Sequence, residues 1–335
     1  RGERRELLAL LAQPPGRVVT IVGPGGIGKS RFARELLPDL VALTQADVLW
    51  VGMEDLHTAP QLLARIAQLL GAKVNDASDL AAQIAAQRSQ HAALLVLDNA
   101  EHLPELASWL QPLLSAWPLL RLVLTSRARV GLADETLLPL QGLALPDADS
   151  RDAEAAAAFD AVRLFELRAR RAHPGFELAA HLDAVITLLE MVDGLPLAIE
   201  MAADWVRLLP PAAIVRELER SIDILQRDRS AGQHAAGGVS MQAVLRRSWD
   251  LLAEPEQRAL KALTVFRGGF RSDAAAAVAD AGWPVLTSLV DRSLLTLDDQ
   301  GRFGMHPLVV QWTADAVPAA ERQALALRHA EFFGD

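Results

Sequence analysis

Gly23-Pro24-Gly25-Gly26-Ile27-Gly28-Lys29-Ser30 has the spacing Gly, four residues, Gly-Lys-Ser. That is the phosphate-binding loop pattern. Gly23, Gly25, Gly26 and Gly28 let backbone N–H groups close around phosphate oxygens, and the helix N-terminus behind them adds positive dipole. Lys29 is placed to reach β- and γ-phosphates, and the Ser30 hydroxyl to ligate Mg²⁺. Arg31, the next residue, is counted with the phosphate-contacting set. The plain alternative is a glycine-rich turn that binds nothing.

A second chemical candidate lies further along. Ala92-Ala93-Leu94-Leu95-Val96-Leu97 is an apolar run that ends in Asp98. A strand buried on both faces presents its last residue at the C-terminal edge of its sheet, where open α/β sheets bind ligands. Asp98 is expected to hold Mg²⁺ together with Ser30. Asn99 follows, where many hydrolytic P-loop enzymes carry a second acid. Glu101 is the nearest group able to polarise a water; it reads equally well as an N-terminal charge on a helix beginning near Leu103. Leu120 to Thr125 is another core strand, and it ends in Ser126-Arg127. Arg127 suits a γ-phosphate sensor, or else an exposed turn.

The flanking elements must position these groups. Arg17 to Val22 is β-branched and apolar, as a buried parallel strand requires. Arg31 to Leu37 has helix formers at helical spacing, so the glycine loop sits at a strand-to-helix turn. Arg1–Leu11 reads as a helix, Asp47–Val51 as a strand, Ala59–Leu70 and Ala77–Gln87 as helices, and Leu137–Leu140 as a last short strand. The pattern predicts an α/β P-loop NTPase domain over residues 1–146, a parallel sheet with helices on both faces. An acidic, Ala-rich stretch at Asp147–Ala158 opens a helical domain over 147–238. In it, Gly194-Leu195-Pro196-Leu197-Ala198 places Gly at one helix end and Pro in the first turn of the next. Gln226–Gly238 reads as a linker or mobile loop.

A third domain is expected over 239–318. Helices at about Met241–Leu252, Glu254–Leu263, Asp273–Ala279 and Val285–Asp291 precede a hairpin, Ser293–Leu297 and Arg302–Met305, with a Gly turn. Helices followed by a hairpin read as a winged helix. His306-Pro307-Leu308 then starts another helix, and Ala319–Phe333 reads as the first helix of a truncated C-terminal repeat region over 319–335. From Met241 to Met305 eight basic residues are offset by eight acidic ones. The expected recognition helix, Trp283–Asp291, carries no basic side chain. Phosphate contacts dominate DNA affinity, so this unit reads as a packing module rather than a DNA reader.

Composition sets the outer bounds. The 335 residues are 51% hydrophobic with mean hydropathy +0.17, enough for two or three cores. Ala and Leu abundance favours helices. No run of about 18 apolar residues appears, so no membrane span is expected. The chain has no cysteine, which excludes disulfides and thiolate metal sites and is compatible with a reducing cytoplasm. A formal charge of −9 argues against a nucleic-acid coat. The first residue is Arg1 rather than Met, so a piece of a longer protein is expected.

Taken together, these motifs resemble the STAND class of signal-transduction ATPases, and within it the NB-ARC-like ATPases of large bacterial transcriptional regulators, relatives of the apoptotic and plant-resistance ATPases. The resemblance covers nearly the whole chain. Gly23–Ser30 is similar to Walker A, and Leu94–Asp98 with Asn99-Ala100-Glu101-His102-Leu103 to the bacterial Walker B. Thr125-Ser126-Arg127 looks like sensor 1, Gly194–Ala198 like the GLPLA motif and Met305-His306-Pro307 like the MHD motif. It implies that Pro196 lies against the nucleotide and that His306 contacts the ADP β-phosphate. Three departures stand out: Glu3 where members often have Arg, Asn99 for the second acid, and Pro307 for the MHD aspartate. The implied function is an ATP/ADP switch, closed with ADP and self-associating with ATP, a slow ATP hydrolase acting on effector and sensor domains outside this fragment. The rivals are a constitutive hydrolase doing mechanical work and a DNA-binding regulator with a vestigial nucleotide site.

Overall fold

A computed structural model of the chain describes residues 2–12, 16–44, 46–53, 55–74, 79–103, 105–146, 152–227 and 236–334. Residue contacts divide it into two units, Arg1–Pro24 with Gly28–Gln141, and Gly25–Ile27 with Gly142–Asp335.

The first unit is built on five parallel strands: β1 Val18–Val22, β2 Asp47–Gly52, β3 Ala93–Asp98, β4 Leu120–Ser126 and β5 Glu135–Pro139. Their order is β2-β3-β4-β1-β5. The strand that feeds the glycine loop is thus separated by β4 from the strand that ends in Asp98. All six residues of β3 are buried, because helices cover both faces and side chains alternate between them. Leu95 and Leu97 pack with the helices Ala59–Leu70, Leu80–Arg88 and Leu106–Ala116. Leu94 and Val96 pack with the helices Gly2–Ala12, Lys29–Glu35 and Leu37–Thr44. The parallel α/β fold expected from the sequence is the fold observed.

Several boundaries differ for local reasons. The helix expected over 31–37 is two, Lys29–Glu35 and Leu37–Thr44. Pro38 has no N–H with which to continue the earlier helix's hydrogen-bond ladder, and it is tolerated in the first turn of the next. The helix expected from about Leu103 begins at Leu106, after a 3₁₀ turn at Ala100–His102. Asn99 and Glu105 on either side are left-handed, with φ 64° and 60°, and neither can propagate a right-handed helix. The last strand starts two residues early because Glu135 pairs with Val18 of β1. The helix expected from Ala77 runs Leu80–Arg88; its expected start falls outside the described residues.

The second unit is helical. Its helices include Asp160–Ala172, Leu182–Met191, Pro196–Asp204, Pro211–Arg227, Ala236–Asp250, Glu254–Leu263, Ser272–Ala279 and Trp283–Asp291. A two-stranded antiparallel hairpin follows, β6 Leu295–Leu297 and β7 Phe303–Met305. Phe270 adds a bridge to Phe303. Helices Pro307–Asp315 and Ala319–Phe333 end the described chain. Gly237 and Gly238, which composition placed in a linker, lie in the Ala236–Asp250 helix, while 228–235 and residues 147–151 of the expected boundary stretch Asp147–Ala158 fall outside the described residues. Among the described residues no helix is long and apolar enough to cross a membrane.

Candidate nucleotide site

Lys29 opens the helix that follows the glycine loop. Gly28 turns the chain into that helix at φ 93°, a backbone region that glycine enters without steric cost. A Cβ on Gly28 would meet nothing within 4 Å, so the need is conformational. Lys29 as a whole is only 7% exposed. Its ammonium donates to the Gly23 carbonyl at 2.8 Å and the Pro24 carbonyl at 3.1 Å. Gly23 N–H donates in turn to the Ser126 carbonyl at 3.3 Å, tying the loop entrance to the tip of β4.

Around this amine the first unit gathers the chemistry-bearing residues. Burial pushes the Lys29 ammonium below its ordinary pKa; Glu101 pulls it back up, Arg127 pushes it down and Asp98 pulls it up. All three are close enough to act on one charge. Asp98 is buried at the tip of β3 and accepts a hydrogen bond from the Thr125 hydroxyl at 2.6 Å. That hydroxyl accepts from Asn99 N–H at 2.9 Å. Thr125 therefore fixes one carboxylate oxygen of Asp98. The sequence placed Thr125 only within a Thr-Ser-Arg tip; its bridging role follows from the adjacency of β3 and β4, which no local pattern encodes.

Glu101 sits in the 3₁₀ turn, and Arg127 Nε lies 3.2 Å from its Oε1. The two open readings of Glu101 thus gain a third element, an ion pair across two strand tips. Ser30 follows Lys29 in the helix and is half-buried, while exposed Arg31 pairs with Glu35 one turn on, at 2.9 Å.

Ser30 and Asp98 supply oxygen donors, the ligand type hard cations take. No group of three or more His, Cys, Asp or Glu side chains that could hold a metal occurs among the described residues. The donor set fits Mg²⁺ held by one or two protein groups plus substrate phosphates, with Ser30 and Asp98 the residues that would hold it.

In the second unit the Gly194 motif is more constrained than a helix end requires. Gly194 has φ 61°, and a Cβ there would stand 2.4 Å from the Leu143 carbonyl oxygen. A Cβ on Gly142 would stand 2.1 Å from the Asp193 carbonyl oxygen. The two glycines let the Gly142–Leu143 backbone lie against the turn, where Leu143 N–H donates to the Gly194 carbonyl at 2.9 Å. Pro196 is the first residue of the next helix, and Leu197 N–H donates to Gly26 O at 3.2 Å within this unit. His306 is half-buried at the corner between β7 and the helix Pro307–Asp315, its carbonyl accepting from Val310 N–H at 3.0 Å.

A family model described as an AAA domain matches residues 14–132. The Mycobacterium tuberculosis protein Rv0894, described as uncharacterized, is 31% identical over 92% of this chain and 77% of its own length. This chain belongs to the same family as Rv0894, with a P-loop AAA domain over residues 14–132. A second relative, Rv0890c of the same organism, has a name that proposes an HTH-type transcriptional regulator. It is 34% identical over 88% of this P-loop AAA protein, which spans about a third of that relative's length, 32%. Among solved structures, the STAND protein PH0952 of Pyrococcus horikoshii, titled as having a tetratricopeptide repeat sensor, shares the fold. Its TM-score is 0.58 at 18% identity, over 98% of this P-loop AAA protein and 44% of that chain.

Proposed function

We propose that this chain is the nucleotide-switch core of a signal-transduction ATPase. The observation that carries the reading is Lys29, a buried cation at the C-terminal edge of a parallel sheet with Asp98, Glu101 and Arg127 acting on it. The amine is held by the Gly23 and Pro24 carbonyls of the loop itself, and a glycine loop at a helix N-terminus accepts the phosphates of ATP or ADP. Gly23, Gly25, Gly26 and Gly28 line the cradle, and Ser30 and Asp98 orient the cation that accompanies the phosphates. Glu101 positions water once its pair with Arg127 opens, and Arg127 then faces the γ-phosphate. Asn99 in place of a second acid favours slow turnover.

The reading divides the chain into a nucleotide domain over 1–146, a helical domain over 147–238, a winged-helix domain over 239–318 and the start of a repeat region over 319–335. The helix-hairpin order from Glu254 to Met305 supports the third of these. Pro196 and His306 are the contacts by which the later domains sense ADP. ADP favours the closed form; ATP favours an open, self-associating form, a population shift driven by differential affinity. The output, regulation of transcription, draws on the name of Rv0890c.

Titration of labelled ADP tests the site: Lys29→Ala at unchanged affinity removes it. Asp98→Asn is expected to weaken Mg²⁺-dependent ATP binding more than metal-free ADP binding. His306→Ala tests the switch and is expected to loosen ADP by on the order of tenfold, one charge-assisted hydrogen bond, while sparing ATP. An equal change in both nucleotides rules out His306 as the switch contact.

A further inference from the structure

We propose that Glu135 is a positioning residue for this site: its buried carboxylate holds the loop that begins with Arg127 against the strand that feeds Gly23–Ser30. The inference rests on the reading of that site as a nucleotide site. Glu135 is the first residue of β5, opposite Val18 of β1, and its side chain has no exposed surface. Alternation along the strands puts Glu135, Val18 and Thr20 on one face. The Thr20 hydroxyl donates to Glu135 Oε1 at 2.7 Å. Thr20 lies two residues before the end of β1, so this bond anchors the carboxylate to the strand beneath the glycine loop.

The other bonds reach the opposite way. Val130 N–H donates to Oε1 at 2.8 Å and Gly131 N–H to Oε2 at 2.7 Å. Arg129 Nε lies 3.8 Å from Oε2. Residues 127–134 contain no helix or strand, and they double back through left-handed Gly131 and Asp134, at φ 91° and 59°. The carboxylate sits at the centre of that turn. Arg127 is the first residue of the segment, and its side chain meets Glu101 beside Lys29. Burial alone pushes the Glu135 carboxyl upward, but the donors from Val130, Thr20 and Gly131 together with Arg129 outweigh it and hold the acid below its ordinary range. It stays an anion, as an acceptor of three hydrogen bonds must.

The test uses the full chain and starts from Glu135→Ala, Glu135→Gln, which keeps one acceptor and loses the charge, and Thr20→Val. Amide hydrogen exchange over residues 127–134 is read beside ADP affinity and single-turnover ATP hydrolysis. Glu135→Ala is expected to speed exchange in that segment by at least about tenfold. It lowers turnover by on the order of tenfold, the cost of a displaced side chain, with ADP affinity held within about twofold. Glu135→Gln restores part of both, and Arg127→Ala added to Glu135→Ala costs little more, as for two residues acting through one contact. If Glu135→Ala does not fold, Thr20→Val carries the same comparison with smaller changes. Unchanged exchange over 127–134 overturns the proposal, and so does a full additional loss from Arg127→Ala. Lys29→Ala at unchanged ADP affinity removes the nucleotide reading instead and leaves the exchange result standing.

Discussion

Each unit contains a carboxylate taken out of water, and the two hold their protons in opposite senses. In the first unit Glu135 accepts two backbone N–H bonds and one hydroxyl bond, with Arg129 nearby, and its pKa is lowered. In the second unit Asp204 ends the helix Pro196–Asp204 at 8% exposure. It accepts one bond, from the Ser293 hydroxyl at 2.7 Å. Burial dominates there and raises its pKa to about 6; the Ser293 bond, Arg168 and Arg207 oppose the rise, and Glu200 adds to it. Arg168 is itself engaged by Glu200 at 2.9 Å, which blunts its pull. Burial does not set the sign; the number of donors aimed at the anion does.

The largest expected effect tests the well-served side of that contrast. Glu135→Ala leaves the buried Thr20 hydroxyl and two amides without their acceptor. At about 1–3 kcal/mol for each donor fully buried, and less for amides that water can reach, a loss of about 3–4 kcal/mol is expected in urea unfolding at pH 7. A cost below about 1 kcal/mol would mean that the loop amides are not held by this carboxylate. Lys29→Ala comes next. Its loss removes charge-assisted phosphate contacts of about 1.5–3 kcal/mol, on the order of 10- to 100-fold in ADP affinity, with folding little changed. A stability loss as large as the affinity loss would assign Lys29 to the Gly23 and Pro24 carbonyls instead.

Asp204→Asn is expected to act in the other direction. The native carboxyl holds its proton up to about pH 6, against an ordinary 3.8, so the folded state binds more protons between those values. The group's favourable contribution is complete below the ordinary carboxylate range and is lost as pH rises through 6. At pH 7 the ionised group is a net cost, and Asn, which can still accept from Ser293, relieves about 2 kcal/mol of it. Thermal melts from pH 4 to 7 check this: the parent loses stability across that range relative to Asp204→Asn, and parallel curves would refute the raised pKa. The smallest effect is Ser293→Ala. Removing the donor that lowers the Asp204 pKa moves the inflection of that pH curve upward and costs about 1 kcal/mol at pH 7. An unmoved inflection would exclude Ser293 as the partner.

Local patterns carried much of the molecule. Gly23–Ser30, the apolar run ending in Asp98 and the β-branched run before the loop can each be read in a window of a few residues, because phosphate cradles and doubly buried strands impose strict residue types at fixed spacing. The helix Glu254–Leu263 falls where its pattern placed it, with Glu256 Oε2 accepting from Ala253 N–H at 2.6 Å as its start signal. Tertiary structure decided what depends on residues far apart in the chain. The insertion of β4 between β1 and β3 puts Thr125 on Asp98, and the pairing of β5 with β1 puts Glu135 under Thr20, 115 residues away. The close approach of Gly142 to the Gly194 turn made both glycines obligatory, where sequence gave a reason for only one. A carboxylate's pKa belongs to the same class: Glu135 and Asp204 are unremarkable letters in the chain, and only the donors that the fold brings to each decide whether it keeps or sheds its proton.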